Sequence, residues 1–155
     1  MSLRFLITGG EGFIDRNLKE YLKINDHDAE TIDVAGEPDH RISVTDFQRL
    51  MDIESDFDGL FHLAAVTSPP QFDTDPIGGF QVNAIGTLNV MEFARRRGIR
   101  RLVFASSSAT YGNSKDTYVE SNIPDRYANL YPITKIMEEH LSRYYSLRGK
   151  LNASR

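Results

Sequence analysis

The stretch Thr8-Gly9-Gly10-Glu11-Gly12-Phe13-Ile14 constrains this chain more than any other. The apolar run Leu3–Ile7 leads into it and reads as a buried strand stopped by glycine. Beyond it, Phe13, Ile14, Leu18, Tyr21, Leu22 and Ile24 recur at helical spacing, predicting a helix over Phe13–Ile24. Glycine at such a junction lets the backbone turn sharply and approach a pyrophosphate. The helix start adds free N–H groups and the positive end of its dipole. A few glycines alone say little; their position between a strand and a helix is what points to a dinucleotide.

The same alternation continues along the chain. Ala29–Val34 reads as a second strand, closed by Gly36 and Pro38, and Arg41–Val44 as a third. Thr45 suits the N-cap of a helix reaching about Met51. Gly59–Ala65 is apolar except for His62, the unbroken pattern of a strand covered on both faces. Thr67–Asp75, containing Pro69-Pro70, reads as loop. Pro76–Arg97 reads as a long helix that opens on a proline suited to the first turn and stops at Gly98. Arg95, Arg96 and Arg97 fall in its last turn, where cations complement the dipole. Arg101–Ala105 is a fifth strand, Ser106–Ala128 a long polar loop, and Asn129–Leu147 a helix by the spacing of Ile133, Ile136, Met137, Leu141 and Tyr144. Residues 150–155 begin a sixth strand. This order predicts one α/β domain over residues 1–155, a Rossmann-type doubly wound parallel sheet of five to six strands with flanking helices. Such sheets bind ligands beyond the carboxyl ends of their strands, and each chemically interesting cluster here follows a predicted strand.

Bulk properties narrow the classes. The net charge of -4 argues against a nucleic-acid partner, which usually meets a basic surface. The chain has no cysteine, hence no disulfide and no thiolate nucleophile, which fits a cytoplasmic protein. The four histidines lack metal-ligand spacing, so no metal is expected. No apolar run approaches the roughly 20 residues of a membrane helix, and Met1-Ser2-Leu3-Arg4 leaves no room for a signal peptide before the first strand.

Three further clusters carry chemistry. Asp33 ends the second strand, 24 residues after Gly9, where a carboxylate can accept both adenosine ribose hydroxyls and repel a 2′-phosphate. That favours NAD over NADP. Tyr131 and Lys135 lie four apart, on one helix face, and an ammonium beside a phenol stabilises the phenolate. Such a tyrosine serves as a general acid or base near neutral pH. Ser106-Ser107-Ser108 follows the fifth strand, where a hydroxyl could hold a substrate alcohol.

Taken in order and spacing, these clusters resemble the NAD-dependent epimerase/dehydratase family of extended short-chain dehydrogenases/reductases. The motifs are Gly9-Gly10-Glu11-Gly12-Phe13-Ile14, His62-Leu63-Ala64-Ala65, Asn83 with Gly86-Thr87, Ser106-Ser107-Ser108-Ala109-Thr110-Tyr111-Gly112, and Tyr131 with Lys135. The resemblance implies that Gly9, Gly12, Phe13 and Ile14 wrap the pyrophosphate of NAD and that Asp33 takes its adenosine ribose. It places Leu63, Ala64 and Ala65 along the cofactor, Ser43 and Val44 at the adenine, and Asn83 as a supporting asparagine. Ser107 matches the catalytic Ser/Thr position, with Ser108 as the alternative. Tyr131 matches the acid/base, and Lys135 the residue that binds the nicotinamide ribose. His62 matches a position that is not a catalytic base. The implied function is a sugar-nucleotide epimerase, in which a sugar hydroxyl is transiently oxidised, or a related dehydrogenase. Dehydratases of the family place Thr-Asp-Glu where this chain has Ser107-Ser108-Ala109, and it lacks those two acids.

Three departures qualify the resemblance. The third glycine of the family falls at Asp15, where a carboxylate should repel a pyrophosphate. Ser43 stands where many members carry an aspartate that contacts adenine. Members run to about twice this length, and the missing half carries the domain that grips the nucleotide-sugar substrate. The competing reading is therefore a truncated or non-catalytic nucleotide-binding module. A homodimer through Pro76–Arg97 and Asn129–Leu147 is also implied. These helices carry apolar residues beyond one stripe: Phe80, Val82, Ile85, Leu88, Val90, Met91 and Phe93 on one, Leu130, Ile133, Ile136, Met137, Leu141, Tyr144 and Tyr145 on the other.

Overall fold

The computed structural model describes residues 1–112, 127, 129–149 and 151–155. Six parallel strands stand in the order β3-β2-β1-β4-β5-β6: β1 (Arg4–Thr8), β2 (Asp28–Asp33), β3 (His40–Arg41), β4 (Gly59–His62), β5 (Arg101–Phe104) and β6 (Asn152–Ser154). The helices are α1 (Phe13–Ile24), α2 (Phe47–Met51), α3 (Pro69–Thr74), α4 (Pro76–Phe80), α5 (Gly86–Arg96) and α6 (Tyr131–Leu147). Leu6 and Ile7 of the central β1 are fully buried, as a strand covered on both faces requires. Leu6 forms one core with Ile32, Leu60, Leu102, Val90, Met91 and Phe93. Among the described residues no helix is long and apolar enough to cross a membrane, and no cluster of three or more His, Cys, Asp or Glu side chains could hold a metal.

Several predicted boundaries move, each for a local reason. The third strand is His40–Arg41, not Arg41–Val44, because the chain bends after Ile42 donates to Asp33 O and Val44 O instead accepts Asn89 Nδ2 at 3.0 Å. Thr45 spends its hydroxyl on Ser43, and Asp46 caps α2 by accepting from Arg49 N. The fourth strand ends at His62, since the next residues leave the sheet to pack on the turn after β1. The fifth ends at Phe104, the last residue paired with β4, and the sixth is only Asn152–Ser154. Pro69-Pro70, read as loop, opens α3, because proline's fixed φ suits a first turn. The long helix predicted over Pro76–Arg97 is broken into α4 and α5 by a π-helical turn, Gln81–Ile85. Within the polar loop after β5, Ser108–Tyr111 forms a 3₁₀ turn; residues 113–126 and 128 of that loop lie outside the described residues. Helix α6 begins at Tyr131, not Asn129, because the Asn129 side chain accepts from Tyr131 N and leads into the first turn.

Helix α1 departs from its predicted apolar face. Phe13, Ile14, Tyr21 and Ile24 are exposed, whereas Asp15 and Leu22 are buried. The apolar residues counted in the sequence span two faces, and of them only Leu22 is buried, with Leu18 half-buried.

Candidate active site

A cleft of about 670 Å³ opens at the carboxyl edge of the sheet, at the switch point between β1 and β4. Its walls hold every predicted cofactor residue except Asn83: Gly9, Gly12, Phe13, Ile14, Asp33, Ser43, Val44, Leu63, Ala64, Ala65, Tyr131 and Lys135. Asp15, Ile42, Val66, Thr67 and Val82 also line it and were not singled out as binding residues in the sequence, and so does Ser106 of the serine triplet.

The floor is built by glycine. Gly9 has φ +86°, and a Cβ there would lie 2.8 Å from Ala64 N, so the turn after β1 and the segment after β4 can touch only if this residue lacks a side chain. Gly12 caps α1 without a side-chain bond, so the start of the helix faces the cleft with no capping side chain. Asp33 is held rigidly. Its Oδ2 accepts from Glu11 N at 3.1 Å, and its Oδ1 from Val34 N at 2.7 Å and Ala35 N at 3.1 Å.

Asp15 turns into this cradle. It is 4% exposed, its Oδ1 has no partner among the described residues, and its Oδ2 stands 2.6 Å from where a Cβ on Gly12 would be. Burial pushes its carboxyl up to about 6, and the negative charge of Asp33 adds to the rise.

The tyrosine–lysine pair lies on α6. Tyr131 is half-buried, edge-on to Phe72 at 6.1 Å, and the Lys135 ammonium sits 5.8 Å from its ring centroid. Lys135 is buried and donates to Ala105 O at 3.0 Å and to Glu138 Oε2 at 2.9 Å. Glu138 was not foreseen, although a residue three along from Lys135 shares its helix face. It is 1% exposed, and burial raises its carboxyl to about 7 against the opposing pull of Lys135.

Asn83 does not reach the cleft. It is fully buried in the π-helical turn, accepts from Val66 N at 2.8 Å, and donates to Val66 O at 2.9 Å and Thr134 Oγ1 at 3.1 Å. It thereby ties the cleft wall after β4 to the helix that carries Tyr131. Ser107 is not among the lining residues either; its hydroxyl caps the 3₁₀ turn by accepting from Ala109 N at 3.2 Å. Ser108 begins that turn. Ser106 lines the cleft in their stead and donates to Glu139 Oε1 at 2.6 Å.

Behind the cleft His62 bridges Thr8 Oγ1 at 2.7 Å and Thr87 Oγ1 at 2.8 Å. The Thr87 hydroxyl donates to Asn83 O at 2.5 Å, so His62 Nε2 must carry a hydrogen and Nδ1 must accept from Thr8. Burial, with Lys135 nearby, lowers this imidazole to about 3 and keeps it neutral. His62 therefore acts as a neutral hydrogen-bonding strut between strands and helix.

Comparison with known proteins accords with this geometry. Residues 5–154 match the NAD dependent epimerase/dehydratase family. The chain is 33% identical over 140 residues to UDP-glucuronic acid decarboxylase 1 of Danio rerio, covering 84% of this chain and 32% of that protein. It is 29% identical over 154 residues to UDP-glucose 4-epimerase of Streptomyces lividans, covering 91% of this chain and 47% of that protein. Among solved structures, it superposes on MoeE5 in complex with UDP-glucose and NAD with TM-score 0.86 at 28% identity, covering 97% of this chain and 52% of that one. The UDP-glucose 4-epimerase of Thermus thermophilus in complex with NAD gives TM-score 0.85 at 28% identity, covering 97% and 53%. The chain thus spans about a third to a half of the length of the curated relatives it matches. With a family match that runs over residues 5–154, nearly end to end, the chain belongs to the NAD dependent epimerase/dehydratase family.

Proposed function

We propose that this chain is the NAD-binding domain of an enzyme that transiently oxidises a hydroxyl of a UDP-sugar, as an epimerase does. The observation that carries the reading is one cleft lined by the glycine turn, Asp33, Tyr131 and Lys135 together. The cradle suits a dinucleotide. The Gly9–Ala64 contact leaves a flat floor, the uncapped start of α1 faces the pyrophosphate position, and the fixed Asp33 carboxylate offers lone pairs to a ribose. Asp15 is the one residue that opposes it. NAD, when bound, supplies the oxidising power for the sugar carbon. Tyr131 takes the proton of the sugar hydroxyl and later returns it, while Lys135 holds the nicotinamide ribose beside it. Ser107, whose capping bond leaves its hydroxyl hydrogen uncommitted, donates to the sugar oxygen, since Ser106 has given its own to Glu139.

Epimerisation and loss of carboxylate from a uronic acid both begin with this oxidation, so UDP-glucuronic acid belongs in the substrate panel alongside neutral UDP-sugars. The second reading, a nucleotide-binding module without turnover, is favoured by Asp15. Turnover of UDP-sugars by a protein that extends this chain to the relatives' full length tests the proposal; NAD binding without turnover there supports the second reading.

Asp33 sets the cofactor expectation. NAD(H) should bind about tenfold or more tightly than NADP(H), because a 2′-phosphate would meet an anchored carboxylate. Titrating both at one salt concentration checks this, and equal affinity would sink it.

A homodimer is part of the proposal. Val90, Met91, Phe93 and Tyr145 lie in the monomer's own core, which removes them from the predicted interface. Ile85, Leu88, Ile133, Met137 and Tyr144 remain exposed on α6 and on the helices it packs against. Light scattering at tens of micromolar should give twice the mass of one chain; a monomer there contradicts the dimer.

A further inference from the structure

Lys135 has three N–H donors. One goes to Ala105 O, one to Glu138 Oε2, and the side chain as a whole lines the cleft. The partner carboxylate is unusually placed. Glu138 is as buried as the apolar core, and its Oε1 has no hydrogen-bond partner among the described residues. Thr87 lies near enough to favour the charged form, yet its hydrogen is already given to Asn83 O. The ionised form therefore rests on Lys135 almost alone.

Building on the cofactor reading above, we propose that Glu138 is a proton-linked positioning residue: its carboxylate claims the Lys135 ammonium, and dinucleotide binding transfers that ammonium toward the cofactor ribose as Glu138 takes up a proton. The proton comes from solvent and ends on the Glu138 carboxyl; Lys135 stays an ammonium throughout. A buried carboxylate that loses the one cation acting on it among the described residues cannot stay ionised without large cost, so neutralisation accompanies the transfer. The groups acting on Glu138 support this. Lys135 favours its charge, Glu139 on the same helix opposes it, and burial opposes it most. From β4 comes His62, which is neutral and adds no charge. The carboxyl's position near 7 places the exchange within reach of ordinary conditions.

The test is calorimetric titration of NAD into the 155-residue chain in phosphate and in Tris, whose ionisation enthalpies differ. Net proton uptake should appear above pH 7, with NAD affinity falling by up to about tenfold per pH unit. Glu138→Gln should remove most of the uptake and flatten that slope. Asp15→Asn should keep the uptake and the slope above pH 7 while losing the affinity change near pH 6, which separates Glu138 from the other raised carboxyl. An arm without substitution follows the Glu138 carboxyl carbon by NMR, whose titration midpoint should rise with saturating NAD. Equal enthalpies in the two buffers, uptake unchanged in Glu138→Gln, or a midpoint unmoved by NAD would overturn the inference while leaving cofactor binding intact. Failure of NAD to bind either the native chain or Asp15→Gly would overturn both.

Discussion

Replacing Asp15 with glycine is expected to tighten NAD binding about fivefold at pH 7.5, from relief of roughly 1 kcal/mol of repulsion in a partly screened site. The carboxylate is buried in the cradle beside Gly12, and one of its oxygens is unpaired among the described residues. A pyrophosphate would add negative charge within a few ångströms of it. The same residue ties stability to pH. Its folded-state carboxyl lies near 6 against 3.8 when unfolded. The contribution of a raised group is fully present below the unfolded value and is lost as pH rises through the folded one. Asp15→Asn should therefore leave stability near pH 4 almost unchanged. At pH 8 it should gain about 1–2 kcal/mol, after discounting for screening and for the lost favourable charge at a helix start. Urea midpoints at the two pH values measure this. Native NAD affinity should also rise as pH falls through 6 and stay flat there in Asp15→Asn. Unchanged affinity and midpoints would mean that the carboxylate turns to solvent.

These 155 residues are expected to bind NAD and yet leave UDP-glucose, UDP-galactose and UDP-glucuronic acid unconverted. Tyr131 and Lys135 stand in the cleft, but catalysis needs the sugar held within about 3.5 Å of the nicotinamide, and such positioning contributes on the order of 10⁵-fold or more. The solved relatives in complex with UDP-sugars are about twice as long as this chain. The proposal is that their additional length supplies the grip. Robust turnover by the chain itself, reduced about 10²–10⁴-fold by Tyr131→Phe, would refute that and make this a compact enzyme. Turnover appearing only when the chain is extended to its relatives' length, with the same sensitivity to Tyr131→Phe, would support it.

The residues that line the cleft were largely legible in the sequence because each sits next to a strand end, and strand ends show as apolar runs meeting glycine, aspartate or serine. Boundaries were less legible. Pro69-Pro70 marks a helix start as readily as a loop, and the π-helical turn at Gln81–Ile85 carries no local signature. Ser106 and Ser107 are chemically identical, so only the path of the chain after β5 decides which one faces the cleft.

Residue order alone dictates the parallel α/β sheet, its switch point, and the meeting of a dinucleotide turn with a tyrosine–lysine pair. Those follow from periodicity along the chain, which short-range sterics and burial translate directly into strands and helices. Which charges are buried is settled instead by packing. Glu138 looks like an ordinary helix carboxylate in the sequence, and the sequence sets Asp15 near a pyrophosphate without showing that it is buried. Their helices turn them inward, toward Gly12 and Lys135, where removal from water sets their protonation. That outcome depends on how whole helices pack on the sheet, a property no stretch of neighbouring residues contains.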